Sequence, residues 1–283
     1  MNDNVLMSVI VTTYNRPDAL AAVLAGLLAQ SDHRFEVVVA DDGSTEDTRQ
    51  VVASLRQRAP DGLRIVHAWQ ADSGFRASAA RNLGVHASSG DYLIFLDGDC
   101  VPQTSFVSRH RQLAEPSYMV SGSRVLLSQG LTERILTGTT AQVHARSLGY
   151  WLAQRLAGNT NKFLPLFFLG DSARRHYREV KWQRIKSCNL GIWRSDYARV
   201  NGFDETFVGW GHEDADLVLR LARAGVRRKG GAFATEVFHL WHREYARTTE
   251  SANRKRVEER MKTGLIEAPS GLRDHPQPDE VIS

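Results

Sequence analysis

The stretch Tyr92-Leu93-Ile94-Phe95-Leu96-Asp97-Gly98-Asp99 decides how this chain is read. Its apolar run predicts a short strand buried on both faces, as in parallel sheets covered by helices. The run ends in two carboxylates separated by one small residue, at the carboxyl edge where open α/β sheets bind ligands. Carboxylates this close repel, and one would take up a proton unless a hard divalent cation, Mg²⁺ or Mn²⁺, kept both ionised and bridged them to substrate phosphates. Asp-Gly-Asp also marks ordinary turns, so the reading depends on the surrounding segments.

Toward the N-terminus, strand-like and helix-like signals alternate. Ser8 to Thr13 reads as a strand, and Pro17-Asp18 opens a helix with Leu20, Val23, Leu24, Leu27 and Leu28 on its apolar face. Glu36 to Ala40 is a second strand ending in the polar turn Asp41-Asp42-Gly43-Ser44, after which Ser44 or Thr45 caps a helix toward Gln57. Leu63 to Ala68 is a third strand, Ser78 to His86 a helix, and Asp91 to Leu96 the strand carrying the paired carboxylates. Such alternation predicts an α/β fold: a Rossmann-like, doubly wound mixed sheet with helices on both faces.

Toward the C-terminus, Thr104 to Leu113 reads as a helix and Tyr118 to Leu127 as a strand, and residues 128–185 form a helical insertion mixed with loop. Order returns with a strand at Ser187 to Trp193 and a short helix at Ser195 to Val200. Gly209-Trp210-Gly211-His212-Glu213-Asp214-Ala215-Asp216 then leads into a helix that turns Leu217, Leu221 and Ala224 inward and stops at Gly225. Glu236 to Trp241 reads as a final strand, Arg243 to Lys262 as a charged helical extension, and Gly264 to Ser283 as a flexible tail.

Several segments suggest chemistry. Asp42 follows strand two as Asp99 follows strand four, so both line one crevice, where a carboxylate can accept hydrogen bonds from a ribose or a uracil ring. Within Ser73 to Gly84, small residues allow close approach to a ligand, and a helix start with Arg76 or Arg81 suits a pyrophosphate. Glu213 or Asp214 can serve as the base that deprotonates an acceptor hydroxyl, and Trp210 between two glycines suits a flexible wall for a sugar ring. His239 and His242 are three apart, which on a strand places them on opposite faces, so at most one faces a metal.

Composition bounds the rest. The chain has 283 residues, of which 42% are hydrophobic, enough for one large domain with a real core. Two cysteines, Cys100 and Cys188, exclude a disulfide scaffold and suggest a reducing, cytoplasmic compartment. The N-terminus has no cationic start before its short apolar run, so neither a signal nor a membrane span is expected. A net charge of +4, from 36 basic and 32 acidic residues, suits anionic small molecules or a membrane surface and predicts no nucleic-acid partner. Arg174, Arg175, Arg178, Lys181, Arg184 and Lys186 crowd behind the apolar Phe163 to Leu169, a patch suited to peripheral contact with an anionic leaflet.

Taken in order, Val9-Ile10-Val11-Thr12-Thr13-Tyr14-Asn15-Arg16, Val39-Ala40-Asp41-Asp42-Gly43-Ser44, Ala80-Arg81-Asn82-Leu83-Gly84 and Phe95-Leu96-Asp97-Gly98-Asp99 resemble the family 2 glycosyltransferases of the GT-A fold. Asn201 to Glu205 and Gly209 to Asp214 resemble the acceptor-side segment of galactosyltransferase-type and chondroitin-polymerase-type enzymes. The resemblance divides residues 1–242, one domain, into a nucleotide-binding half (about 7–126), the insertion (128–185) and an acceptor-side half (186–242), with 243–283 outside it.

The resemblance implies an inverting, Mn²⁺- or Mg²⁺-dependent transfer of a hexose or N-acetylhexosamine from a nucleotide-diphosphate sugar, UDP above all. The acceptor would be a hydroxyl of a glycan or lipid-linked glycan, in bacterial surface polysaccharide or lipopolysaccharide synthesis. By position, Thr12, Tyr14 and Asp42 would hold the nucleoside, with Arg16 and Gly98 also on the donor side. Arg81 would serve the diphosphate, Asp97 the ribose and metal, and Asp99 the metal directly. Asp214 matches the base, with Glu213 beside it, and His239, or else His242, would complete the metal shell. His212 stands where some relatives have glycine. Two other readings exist: a nucleotidyltransferase, for which the loop after strand one lacks the expected glycines, and a non-catalytic carbohydrate-binding relative.

Overall fold

The computed structural model describes residues 4–138, 142–180, 182, 185–243, 249–275 and the backbone of 280–282. Its strands are β1 (Met7–Thr13), β2 (Phe35–Asp41), β3 (Ile65–Trp69), β4 (Tyr92–Asp97), β5 (Cys100–Pro102), β6 (Tyr118–Ser121), β7 (Arg124–Leu126), β8 (His176–Tyr177), β9 (Asn189–Trp193), β10 (Arg227–Gly230), β11 (Val237–His239) and β12 (Glu280–Ile282). Its helices are α1 (Pro17–Leu28), α2 (Glu46–Arg56), α3 (Ala77–His86), α4 (Phe106–Leu113), α5 (Gln129–Leu136), α6 (Leu148–Leu156), α7 (Arg194–Arg199), α8 (Glu213–Arg223) and α9 (Glu250–Met261).

The expected mixed sheet is present, in the order β12-β3-β2-β1-β4-β9-β6-β10-β8. The run β3-β2-β1-β4 is parallel, β9 runs antiparallel to β4 and β6, and β12 pairs antiparallel with β3. Alternate residues of the central strands enter different cores, as a sheet covered on both faces requires. Val9, Val11, Val37, Val39, Ile94 and Leu96 join one cluster with α1 and α2. Ile10, Ala40, Leu93 and Phe95 join the other, which also holds Leu217, Val218 and Leu221 of α8. Helix α3 comes close to β1 and β2 because Gly84 has no side chain; a Cβ there would lie 2.6 Å from Ile10 Cγ2.

The expected strand Tyr118 to Leu127 divides into β6 and β7. The break falls at Gly122-Ser123, where the chain crosses Asn189 so closely that a Cβ on Gly122 would overlap its side-chain amide. The expected final strand, Glu236 to Trp241, is shorter and does not join the main sheet. As β11 it forms a second sheet, ordered β5-β11-β7. The insertion anchors beneath that sheet, where Trp151 of α6 stacks on Phe238 of β11 at 4.0 Å between ring centroids. Of the apolar run Phe163 to Leu169, Leu166 is buried, whereas Leu164, Phe167, Phe168 and Leu169 are exposed.

The cation crowd behind that run disperses in the fold. Arg175 is buried, and its guanidinium donates to the carbonyls of Gly170, Gly230 and Ala232, closing a loop instead of facing solvent. Lys181 and Arg184 lie outside the described residues.

Residues beyond 243 are not all an appendage. Within the expected extension, residues 250–261 form α9, and 244–248 lie outside the described residues. Arg260 of α9 bonds Asp204 and Asp216, two carboxylates with no exposure, and Asp216 also accepts from Arg220 at 2.8 Å. The expected flexible tail is docked through residue 275: Val200 and Asn201 carbonyls accept from the amides of Ala268 and Leu272, and His275 bonds Glu205 at 2.7 Å. The sequence pattern missed this segment because polar residues, not an apolar stripe, hold it. Among the described residues, no helix is long and apolar enough to cross a membrane.

Arg260 therefore fixes the helix that begins with Glu213 and Asp214. Arg260→Ala leaves two buried carboxylates short of a cation and is expected to lower unfolding stability by about 2–4 kcal/mol, read by chemical denaturation.

Candidate active site

The carboxyl ends of β1, β2 and β4 open onto a cavity of about 520 Å³, closed on the far side by the start of α8 and by the chain after β11. Thr12, Tyr14, Arg16, Asp42, Asp97, Gly98, Asp99, Trp210, Glu213, Asp214, His239 and His242 all line it. Of the sequence candidates, only Arg76 does not. Its guanidinium turns to the Ala71 carbonyl, and its backbone N–H donates to Asp42 Oδ2 at 2.7 Å, so it shapes the turn instead of reaching a ligand.

On the nucleoside side, Asp42 is held from both of its oxygens. Gln70 Nε2 donates to Oδ1 at 2.6 Å and the Arg76 amide to Oδ2. Burial pushes its pKa up to about 6 despite these bonds. Tyr14 donates its hydroxyl to Asp72 at 3.0 Å, and Arg16 pairs with Asp18. Gly98 is required by the backbone: its amide donates to the Thr12 carbonyl at 2.8 Å, and a Cβ would sit 2.9 Å from that same oxygen.

Arg81 is only 4% exposed and spans the cavity floor. One terminal nitrogen donates to Asp97 Oδ1 and the other to Glu213 Oε1, each at 3.2 Å, while the guanidinium lies 5.0 Å from the Phe203 ring centre. Burial disfavours its charge, but the two carboxylates outweigh burial and hold its pKa above the ordinary value. Its position is thus a tie between the two halves of the site.

Asp99 stands at the other end of the Asp-Gly-Asp turn, and both histidines reach it. His239 Nε2 is 3.6 Å from Oδ1 and His242 Nε2 is 3.4 Å from Oδ2. The expectation that the two histidines lie on opposite faces fails because β11 stops at His239. There the Leu240 amide turns to the Asp99 carbonyl and the Trp241 amide to Thr132 Oγ1, which swings His242 round to the same side. Burial lowers the pKa of His239 against the pull of Asp99 and favours the neutral imidazole that ligates a cation. The Asp99 carboxylate and the two imidazoles about it could hold a divalent cation such as Mn²⁺ or Mg²⁺, with further positions left for substrate oxygens.

Asp214 is buried at the first turn of α8. Its Oδ1 accepts from the Ala215 amide at 2.7 Å, and Lys186 Nζ lies 3.8 Å from Oδ2. Burial, with Glu213 adding, raises its pKa to about 6, while Lys186 and Arg81 oppose the rise. A carboxylate poised there can take a proton near neutral pH. Lys186 was legible only as one of a run of cations; its place one turn before β9 aims it at the acid instead of a membrane.

Residues 8–169 match the sequence family described as glycosyl transferase family 2. The chain belongs to that family. Residues 172–243 match the N-terminal domain of galactosyltransferase, so the two expected segments are both present. Among curated family 2 relatives, validoxylamine A glucosyltransferase of Streptomyces hygroscopicus subsp. limoneus is 36% identical over 78% of this chain and 49% of its own length. Chondroitin synthase of Pasteurella multocida (strain Pm70) is 30% identical over 80% of this chain and 24% of its own. The chain thus spans about half or less of the length of these two curated relatives. A mannosyltransferase from Pyrobaculum calidifontis, solved with GDP-Man and Mn²⁺, superposes with a TM-score of 0.52 at 18% identity, over 91% of this chain and 62% of that one, in keeping with the GT-A fold. Family membership sets aside the nucleotidyltransferase reading.

The loop before α8 places His212 in a backbone conformation that favours glycine. Gly209, Gly211 and His212 have φ of 78°, 101° and 71°, all in the left-handed region. His212 is strained there, as any residue with a Cβ is. His212→Gly is expected to leave the fold intact and raise its stability by about 0.5–1 kcal/mol, measured by thermal denaturation.

Proposed function

We propose that this chain is an inverting, metal-dependent glycosyltransferase that moves a hexose or N-acetylhexosamine from a UDP-sugar to a hydroxyl of a glycan or lipid-linked glycan. The observation that carries the reading is the meeting, in one cavity, of Asp97, Asp99, His239 and His242 on one wall with Glu213 and Asp214 on the other. The Mn²⁺ and GDP-Man bound by the Pyrobaculum mannosyltransferase support a divalent cation and a nucleotide sugar, and the relatives that make hyaluronan and chondroitin support polysaccharide synthesis.

Each group has a distinct task. Asp99, His239 and His242 would hold the cation, which when bound supplies charge neutralisation for the departing diphosphate. Thr12, Tyr14 and Asp42 hold the nucleoside, and Trp210 walls the sugar. Arg81 ties Asp97 to Glu213 across the cavity floor. Asp214 takes the acceptor's hydroxyl proton, so the new bond forms on the face opposite the leaving group and the anomeric centre inverts. No covalent bond to the protein is needed.

The test begins with calorimetric binding of UDP against GDP, dTDP and CDP, with Mn²⁺ present or chelated, and continues to sugar transfer. UDP alone should bind, and only with metal; no binding of any nucleotide overturns the reading. Asp214→Asn is expected to keep UDP binding while transfer falls about a hundredfold or more, as for a positioned base. Because Asp214 has its pKa raised to about 6, transfer by the native protein should be fully present above that pH and fall as Asp214 becomes protonated below it.

A lipid-linked acceptor has support of its own. Helix α6 exposes Leu148, Leu152 and Leu156, one face at four-residue spacing, and Leu164, Phe167, Phe168 and Leu169 are exposed in the loop that follows. We read these residues, with the surface cations Arg174 and Arg178, as a contact for an anionic leaflet. Leu152→Glu with Phe167→Glu should abolish co-sedimentation with phosphatidylglycerol vesicles; unchanged sedimentation sinks the membrane reading.

A further inference from the structure

Cys100 follows the Asp-Gly-Asp turn directly, and the transfer reaction gives it no task. Its strand, β5, pairs antiparallel with β11 so that Cys100 is the cross-strand partner of His239. Partners in such a pair carry their side chains on the same face. The thiol therefore lies with the imidazole, and Cys100 Sγ is 3.5 Å from Asp99 Oδ1. One ligand atom each from Asp99, Cys100 and His239 falls within 4.8 Å of the other two. His242 Nε2 approaches the other Asp99 oxygen at 3.4 Å.

We propose that Asp99, Cys100 and His239, with His242 beside them, form a high-affinity site for a borderline-soft cation, Zn²⁺ above all, which competes with the harder cation of the transfer reaction. The inference rests on the reading of Asp99 and the histidines as cation ligands, and adds a sulfur that a hard cation does not use. Bond lengths of about 2.0–2.1 Å to N or O and about 2.3 Å to S place the corners of a zinc tetrahedron about 3.3–3.6 Å apart. Cys100 Sγ and His239 Nε2 stand 3.5 and 3.6 Å from the same Asp99 oxygen, which falls in that range. Mg²⁺ and Mn²⁺ prefer six oxygen-rich ligands at shorter spacing and leave the thiol protonated. On zinc binding the thiol proton is released to solvent and sulfur bonds as thiolate. A four-coordinate zinc held by Asp99, Cys100 and His239 keeps a single open position, against the several that six-coordination leaves, which makes it a poor substitute for the harder cation here.

Cobalt(II) reads the site without any activity measurement, because a thiolate ligand gives it an intense near-ultraviolet charge-transfer band and four-coordination an intense visible spectrum. The full chain titrated with Co²⁺ should develop both, and Zn²⁺ should bleach them stoichiometrically. Cys100→Ala should lose the sulfur band and bind Zn²⁺ at least about tenfold more weakly in competition with a chromophoric chelator. Absence of the sulfur band in the native chain overturns the proposal, as does its survival in Cys100→Ala; since the native chain carries that test, a variant that misfolds does not obscure it. In parallel, Zn²⁺ added to the native chain with Mn²⁺ should suppress calorimetric UDP binding. A sulfur band without Mn²⁺-dependent UDP binding would remove the transferase reading and leave this site standing; UDP binding without the band would do the reverse.

Discussion

The buried guanidinium of Arg81 is the constraint on which the site depends. Asp97 belongs to the parallel half of the sheet and Glu213 to a helix within the galactosyltransferase-like segment, and both meet the same buried guanidinium. That single cation donates one hydrogen bond to each, and its burial makes those bonds strong. Lysine offers no planar fork with which to reach both at once. The position of the Asp-Gly-Asp turn relative to the catalytic helix is thus set by charge as much as by packing.

Packing supplies the second restraint. The apolar face of α8 fills the core beneath Leu93 and Phe95, while its first turn rises into the cavity. Asp216, on that same turn, is held from inside the helix by Arg220 and from α9 by Arg260. Residues beyond the sequence match to the family are therefore part of what orients Asp214, and the segment from 264 to 275 extends the brace along Val200 and Asn201.

Much of this was legible in the residues, and the exceptions share a cause. Strong apolar periodicity placed β1, β2, β4, α1, α3 and α8 to within a residue or two, and residues of the four short motifs line one cavity. What failed was wherever backbone approach or polar contact, not periodicity, decides the path. Gly122 crossing Asn189 split one expected strand into two sheets. The turn after His239 put both imidazoles on Asp99, against the alternation a longer strand would have imposed. Arg76 looked like a phosphate ligand by position but spends its amide on Asp42, and Arg175 looked like surface charge but binds carbonyls. No local pattern announces such contacts, since each joins residues far apart along the chain.

The cation wall itself straddles that distance. Asp97 and Asp99 lie in the stretch matched to family 2, His239 and His242 in the stretch matched to the galactosyltransferase domain. During synthesis, which orders the N-terminal part of a chain first, both carboxylates emerge long before either imidazole. An early half-chain can gather its parallel strands but cannot yet assemble this cluster. The two halves meet only when the last strand of the small sheet slots between β5 and β7, so that strand works as a late fastener whose closure records that both ends of the cavity wall have arrived.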